Sequence, residues 1–149
     1  MQLNLTTDYA IRTILYLAQK NDIASAPEIG EAVAVSENYL MKVLHRLKET
    51  GIVDGRQGKN GGYSLKKAPA DISLWDIMNI METEMTFNRC LEPDEFCGRG
   101  ATATCPVRKY YIKVQKTIED ILTSVTVERL LRDSDDKATE KDKKLLTNP

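Results

Sequence analysis

Three thiols stand together in this chain and nowhere else in it. Cys90, Cys97 and Cys105 are spaced Cys-x6-Cys-x7-Cys, all within sixteen residues. Thiolates are soft ligands, and three on one loop can converge on a soft metal centre. An iron–sulfur cluster usually takes four protein ligands, so a fourth donor would have to come from outside the loop. Structural zinc suits the pattern less well, because zinc loops favour more closely spaced cysteine pairs. The single histidine, His45, lies in another element. Without metal, the same thiols could form a thiol–disulfide switch with Arg89, Arg99 and Arg108 favouring the thiolate, or pack as small hydrophobes. On residue types alone, a metal centre and a metal-free loop stand side by side.

A second constellation runs from Ser36 to Tyr63, SENYLMKVLHRLKETGIVDGRQGKNGGY. Ser36 suits an N-cap, Glu37 the positive end of a helix dipole, and Gly51 the stop beyond Thr50. Leu40, Val43, Leu44 and Leu47 recur at helical spacing and give one apolar face. Asn38, Lys42, His45 and Arg46 occupy the other side. Two short β-type runs follow, Ile52-Val53 and Tyr63-Ser64-Leu65, joined by Gly58-Lys59-Asn60-Gly61-Gly62, whose three glycines and asparagine tolerate positive φ. A helix followed by a hairpin with cations near its tip predicts a winged helix-turn-helix, with the helix in a DNA major groove and the wing on the backbone or the minor groove. The residues expected to meet DNA are Ser36, Glu37, Asn38, Tyr39, Lys42, His45 and Arg46 on the helix and Arg56, Lys59 and Asn60 on the wing.

The remaining elements would position these two sets. Thr6 or Thr7 can cap a first helix with Asp8 in its opening turn and Ile11, Ile14, Leu15 and Ala18 on one face, ending at Asn21-Asp22. Ser25 and Glu28 have capping-box spacing, and the short helix they open stops near Ala34-Val35. Two helices so closely joined predict the helix-turn-helix corner. Ser73 and Asp76 repeat the capping logic before a helix whose Trp75 and Met residues read as core. From Thr83 to Thr104 periodicity disappears, and loops this long are usually functional or disordered. Pro106 then opens a long helix on which Val107, Val114 and Ile121 form one heptad series and Tyr111, Ile118 and Val125 another. Packing that broad stripe against a second copy predicts a homodimer. The expected organisation is a winged helix-turn-helix domain over 1–82, a cysteine sensor loop over 83–105, a dimerisation helix over 106–132 and a charged, disordered tail over 133–149. The fold class is mainly α, with a small two-stranded β wing.

The net charge of -1 on 149 residues conceals a local excess. Between Ser36 and Lys67 seven cations face three acids, a footprint that phosphates attract. The opening MQLNLTTDYAIR reads as no secretory leader, no apolar run reaches transmembrane length, and three cysteines make no structural disulfide framework. These features predict a cytoplasmic protein. An enzyme finds little support: there is no phosphate loop and no nucleophile–base pairing. A winged domain that binds only protein is the competing bland reading of the helical unit.

The chain resembles the Rrf2 family of bacterial transcription regulators over residues 1–132. The resemblance rests on the opening LNLTTDYAIRTILYLA, the helix SENYLMKVLHRLKETGIV, the wing GRQGKNGGYSL, the connector PADISLWDIM and a three-cysteine loop before a long helix. It implies a homodimer crossed through the long helix, bound to double-stranded DNA at an imperfect palindromic operator and acting as a repressor. Iron–sulfur biogenesis regulators, nitric-oxide sensors and iron-responsive repressors belong to the family. Many members carry an iron–sulfur cluster, 2Fe–2S or 4Fe–4S, whose state sets operator affinity, so redox state, nitric oxide and iron supply are the implied signals. Cys90, Cys97 and Cys105 match the cluster thiolates, and Asp8 matches the carboxylate that nitric-oxide sensors donate across the dimer. Two departures are plain. The intervals of six and seven exceed those of familiar members, and Pro106, Val107 and Arg108 stand where biogenesis regulators have a histidine. Some relatives have no cluster and respond to thiol oxidation or to a regulatory partner protein.

Overall fold

The computed structural model describes residues 3–58 and 60–134. Five α-helices and one hairpin follow in order: α1 (Leu5–Lys20), α2 (Ala26–Val33), α3 (Glu37–Glu49), β1 (Val53–Arg56), β2 (Gly62–Leu65), α4 (Leu74–Met81) and α5 (Pro106–Ser124). Single 3-10 turns lie at Pro69–Asp71 and Arg89–Leu91, and residues 127–134 are again helical. Lys59 and the tail from 135 onward lie outside the described residues.

The predicted caps are mostly realised. Ser25 and Glu28 form a reciprocal capping box on α2, and Ser73 and Asp76 form one on α4. The first helix departs from expectation. Asn4, not Thr6 or Thr7, is its N-cap, accepting from the Thr7 N–H, so the helix begins one residue before Thr6. Ala34 leaves α2 in a left-handed conformation with φ 54°, turning the chain sharply into α3. Ser36 stands at the α3 N-cap position, but its hydroxyl makes no capping hydrogen bond.

One core unites α1, α2, α3, the hairpin and α4. Ile14 and Leu17 meet Ile29, Leu40, Leu44 and Leu47, closed below by Ile52, Ile72, Ile77 and Met81. Burying about ten such side chains is the main stabilising term of the fold. Trp75 is only half-buried, so the methionines of α4 rather than its tryptophan fill the core.

The hairpin is docked to this body by backbone. Ala24 exchanges two hydrogen bonds with Tyr63, N–H to O at 2.9 Å and O from N–H at 2.8 Å, adding a one-residue third strand. A Cβ on Gly62 would approach the Ala24 carbonyl oxygen to 2.4 Å, so only glycine permits this contact. Beyond α5 the chain returns to the body: Leu74 N–H bonds Val125 O, Val127 N–H bonds Ile72 O, and Val127 is fully buried.

Candidate nucleic-acid interface and cysteine loop

The polar side of α3 faces away from the core. Ser36, Glu37, Asn38, Tyr39, Lys42, His45 and Arg46 are all exposed, while the alternating Leu40, Val43, Leu44 and Leu47 are buried. Tyr39 is held in position, with its ring edge-on to Tyr9 at 6.3 Å and the Lys42 ammonium 5.4 Å from its centroid. His45 lies 3.5 Å from Glu49. Arg46 differs from the others. Its Nη1 donates to the Met81 carbonyl at 3.1 Å, tying α3 to the C-terminus of α4. On the wing, Arg56 and Asn60 are exposed, and Arg56 pairs in register with Gly62. Arg56 lies on the side of the hairpin facing the α1 C-terminus, whereas Tyr63 faces α3. Lys59, also assigned to DNA by its place in the sequence, lies outside the described residues.

Two groups in this region were not singled out by sequence reasoning. Met41 and Lys48 flank the groove between α3 and the wing, with Tyr63 across from them. Their signal was present, since both sit at non-core positions of α3: Lys48 is one of the seven cations of the basic stretch, and Met41 has no polar hydrogen to mark it. Glu82, just past α4, accepts from the Asn4 N–H at 3.0 Å, the Asn4 side-chain amide at 2.8 Å and the Thr7 hydroxyl at 2.5 Å. Burial opposes its charge, but these donors and the nearby Arg46 outweigh it and hold the carboxyl below the usual glutamate range.

The loop over 83–105 is ordered by polar ties to α5. Gln115 accepts from the Phe87 N–H at 2.6 Å and donates to Met85 O at 3.1 Å. Arg108 donates to Cys90 O at 3.1 Å and to Glu95 at 2.8 Å. Arg89 pairs with Asp94 and Glu92, and its guanidinium lies over Phe96.

All three cysteines are unpaired and half-buried, Cys90 in the 3-10 turn, Cys97 in mid-loop and Cys105 at the α5 N-cap. Backbone N–H groups of Ala101, Arg99 and Gly100, with the Thr102 hydroxyl, lower the Cys97 pKa against some opposing burial. Among the described residues, no three His, Cys, Asp or Glu side chains converge as a metal-holding group. Three unpaired thiols suit iron or another soft metal as donors, so the chemistry of the set fits a cluster, although the loop as it stands does not gather them on one point. Asp8 is not gathered with them. It pairs with Arg12 of its own helix at 2.6 Å and stays 44% exposed on the α1 surface.

A family model described as an iron-dependent transcriptional regulator, Rrf2, matches residues 3–133. The chain belongs to the Rrf2 family. Among its relatives is the HTH-type transcriptional regulator NsrR of Bacillus licheniformis, 28% identical over 138 residues, which span 91% of this chain and 95% of that protein. The solved structure of IscR from T. potens shares 27% identity at a TM-score of 0.70, covering 90% of this chain and 88% of the other. CymR, the global cysteine regulator of B. subtilis, shares the fold at 24% identity and a TM-score of 0.70, over 87% and 95% of the two chains. This Rrf2-type transcriptional regulator is thus kin to regulators and not to enzymes. No described helix is long and apolar enough to cross a membrane.

Proposed function

We propose that this chain is a cytoplasmic, homodimeric repressor that binds an imperfect palindromic operator in double-stranded DNA, and whose operator affinity is set by an iron–sulfur cluster on Cys90, Cys97 and Cys105. The observation that carries the DNA reading is the exposed face of α3, bearing Asn38, Lys42 and His45 beside a hairpin wing with Arg56 at its end. Recognition helices of this type place their N-terminal residues on base edges, and wing cations contact phosphates. Support for iron comes from the family description and from the thiol donor set.

The dimer reading rests on α5. Its two heptad series part company: Tyr111, Ile118 and Val125 are half-buried within the subunit, and Tyr111 packs edge-on to Phe87 at 5.3 Å. Val107, Tyr110, Val114 and Ile121 stay 48%, 64%, 38% and 58% exposed. Their spacing of three, four and seven residues is that of a coiled-coil seam.

Within a subunit the loop has a mechanical route to the DNA face. It begins at Met81-Glu82, which is bolted to α3 through Arg46 and to the α1 N-cap through Asn4 and Thr7. Its far end runs directly into α5, the proposed dimer helix, at Cys105-Pro106, and Arg108 and Gln115 of that helix also hold Cys90 and Met85. Reordering of residues 83–105 therefore acts on α1, α3 and α5 together and changes the spacing of two recognition helices, to which half-site binding is sensitive. A cluster bound to the three thiols, with Asp8 of the partner subunit as a weak oxygen donor, would supply the centre that responds to redox state, nitric oxide or iron supply.

A second reading keeps the DNA binding and makes the loop a cofactor-free thiol switch or the docking site of a regulatory partner protein. The thiolate-favouring surroundings of Cys97 favour it. The deciding experiment is anaerobic purification, with a visible absorption spectrum, iron and sulfide assays, and operator titration before and after nitric oxide. Visible absorption that bleaches as affinity changes supports the cluster. A colourless protein without iron after reconstitution refutes it in favour of the switch. In the same titration, Arg56→Ala and Lys59→Ala should weaken binding and flatten its salt dependence.

A further inference from the structure

The groove between α3 and the wing has an apolar floor where its rim is charged. Met41, the fifth residue of α3, is 41% exposed on the wing side of the helix. Across the groove the Tyr63 ring lies against the wing backbone, and its hydroxyl is 3.9 Å from the Met41 sulfur. The ring can lie there because Gly55, its cross-strand partner, has no side chain. A Cβ on Gly55 would meet the Tyr63 ring at 3.2 Å and the Lys48 ammonium at 3.3 Å. Lys42, His45, Arg46 and Lys48 line the same groove, with Glu49 the one acid among the described residues of its walls.

Resting on the DNA-binding reading above, we propose that Met41, backed by Tyr63, reads the C5-methyl group of a thymine in each operator half-site. The cationic rim suits a phosphate-walled duplex. The first turns of a recognition helix reach base edges, and thymine alone among the four bases presents an apolar methyl group in the major groove. A flexible thioether with an aromatic ring behind it is an adaptable apolar surface, and the Tyr63 hydroxyl beside it is turned to the Met41 sulfur. Met41 thereby supplies a discrimination for the thymine methyl group that the cations Lys42 and Arg56 do not.

The test uses the full-length protein. Duplexes are first enriched by it from a randomised library, and each thymine of the resulting half-site is then replaced singly by deoxyuridine, which removes the methyl group and nothing else. The expected result is one position per half-site at which uracil weakens binding about fourfold, the worth of one buried methyl-sized group. Met41→Ala should bind thymine and uracil duplexes equally at that position, while Met41→Leu keeps the discrimination. Both variants replace an exposed side chain, and their helical content by circular dichroism verifies folding. Uracil tolerated at every position, or a methyl penalty that persists in Met41→Ala, overturns the assignment while leaving DNA binding intact. Failure to enrich any duplex, with no salt-dependent affinity for DNA, overturns the DNA reading itself and this inference with it.

Discussion

Lys42 and Arg46 stand four residues apart on α3, yet their surroundings give them different work. Lys42 rests over the exposed Tyr39 ring and makes no hydrogen bond to another element among the described residues. Arg46 donates to Met81 O and lies near Glu82, so part of its charge is committed to the protein itself. Removing Arg46 leaves the last carbonyl of α4 without its charged donor. Arg46→Ala is therefore expected to lower unfolding free energy in urea by about 1–2 kcal/mol, whereas Lys42→Ala changes it by less than about 0.5 kcal/mol. Lys42→Ala should instead weaken operator binding, measured in the same buffer by fluorescence anisotropy. Equal stability of the two variants would remove the structural role from Arg46. The tie was illegible in the sequence: its partner is thirty-five residues away, and an arginine on a polar helix face reads as a phosphate ligand.

At the scale of elements, the junction after α4 gathers three helices around one carboxylate. Glu82 is stabilised as an anion by Asn4, Thr7 and Arg46, so its folded pKa lies below its unfolded value. A depressed carboxylate contributes stability that is complete above the unfolded pKa and is lost as pH falls through the folded one. The wild-type protein should therefore lose stability on acidification through and below the usual glutamate range, and Glu82→Gln should flatten that part of the curve while costing about 1 kcal/mol at neutral pH. Glu28 is also depressed, through Lys20 and Tyr16, so the difference between the two proteins isolates Glu82. Unfolding curves at several pH values that run parallel for both proteins would dismiss the junction as an ionic hub. Local signals made most elements legible. Ser25 with Glu28 and Ser73 with Asp76 announced α2 and α4 because a capping box is complete within four residues. Asn4, Thr6 and Thr7 all have side chains that can cap, and the bonds that hold Asn4 at that position come from Glu82, far along the chain. The wing glycines were legible as a turn, but the close approach of Ala24 that demands Gly62 was not.

For the whole molecule, the unpartnered side of α5 determines what the rest can do. The sequence presented two heptad series as a single stripe, since periodicity marks apolar faces without saying what covers each. Folding covers one with the subunit's own α4 and loop and leaves Val107, Tyr110, Val114 and Ile121 outward. A second copy on this seam would bring two α3 helices onto one operator, and linked half-site binding can exceed either single affinity by about 10²–10⁴. Ile121→Glu places like charges on the seam of both copies without touching the subunit core. It is expected to give a monomer by sedimentation equilibrium, with helical content preserved and operator affinity lowered about a hundredfold or more. Binding of an isolated half-site should change far less, because α3 and the wing are intact in each subunit. If Asp8 of the partner subunit completes the metal site, the same variant should also lose bound iron faster than wild type under anaerobic dialysis. An Ile121→Glu protein that still sediments as a dimer and holds the operator normally would move the interface off α5, and with it the route from the cysteine loop to the spacing of the recognition helices.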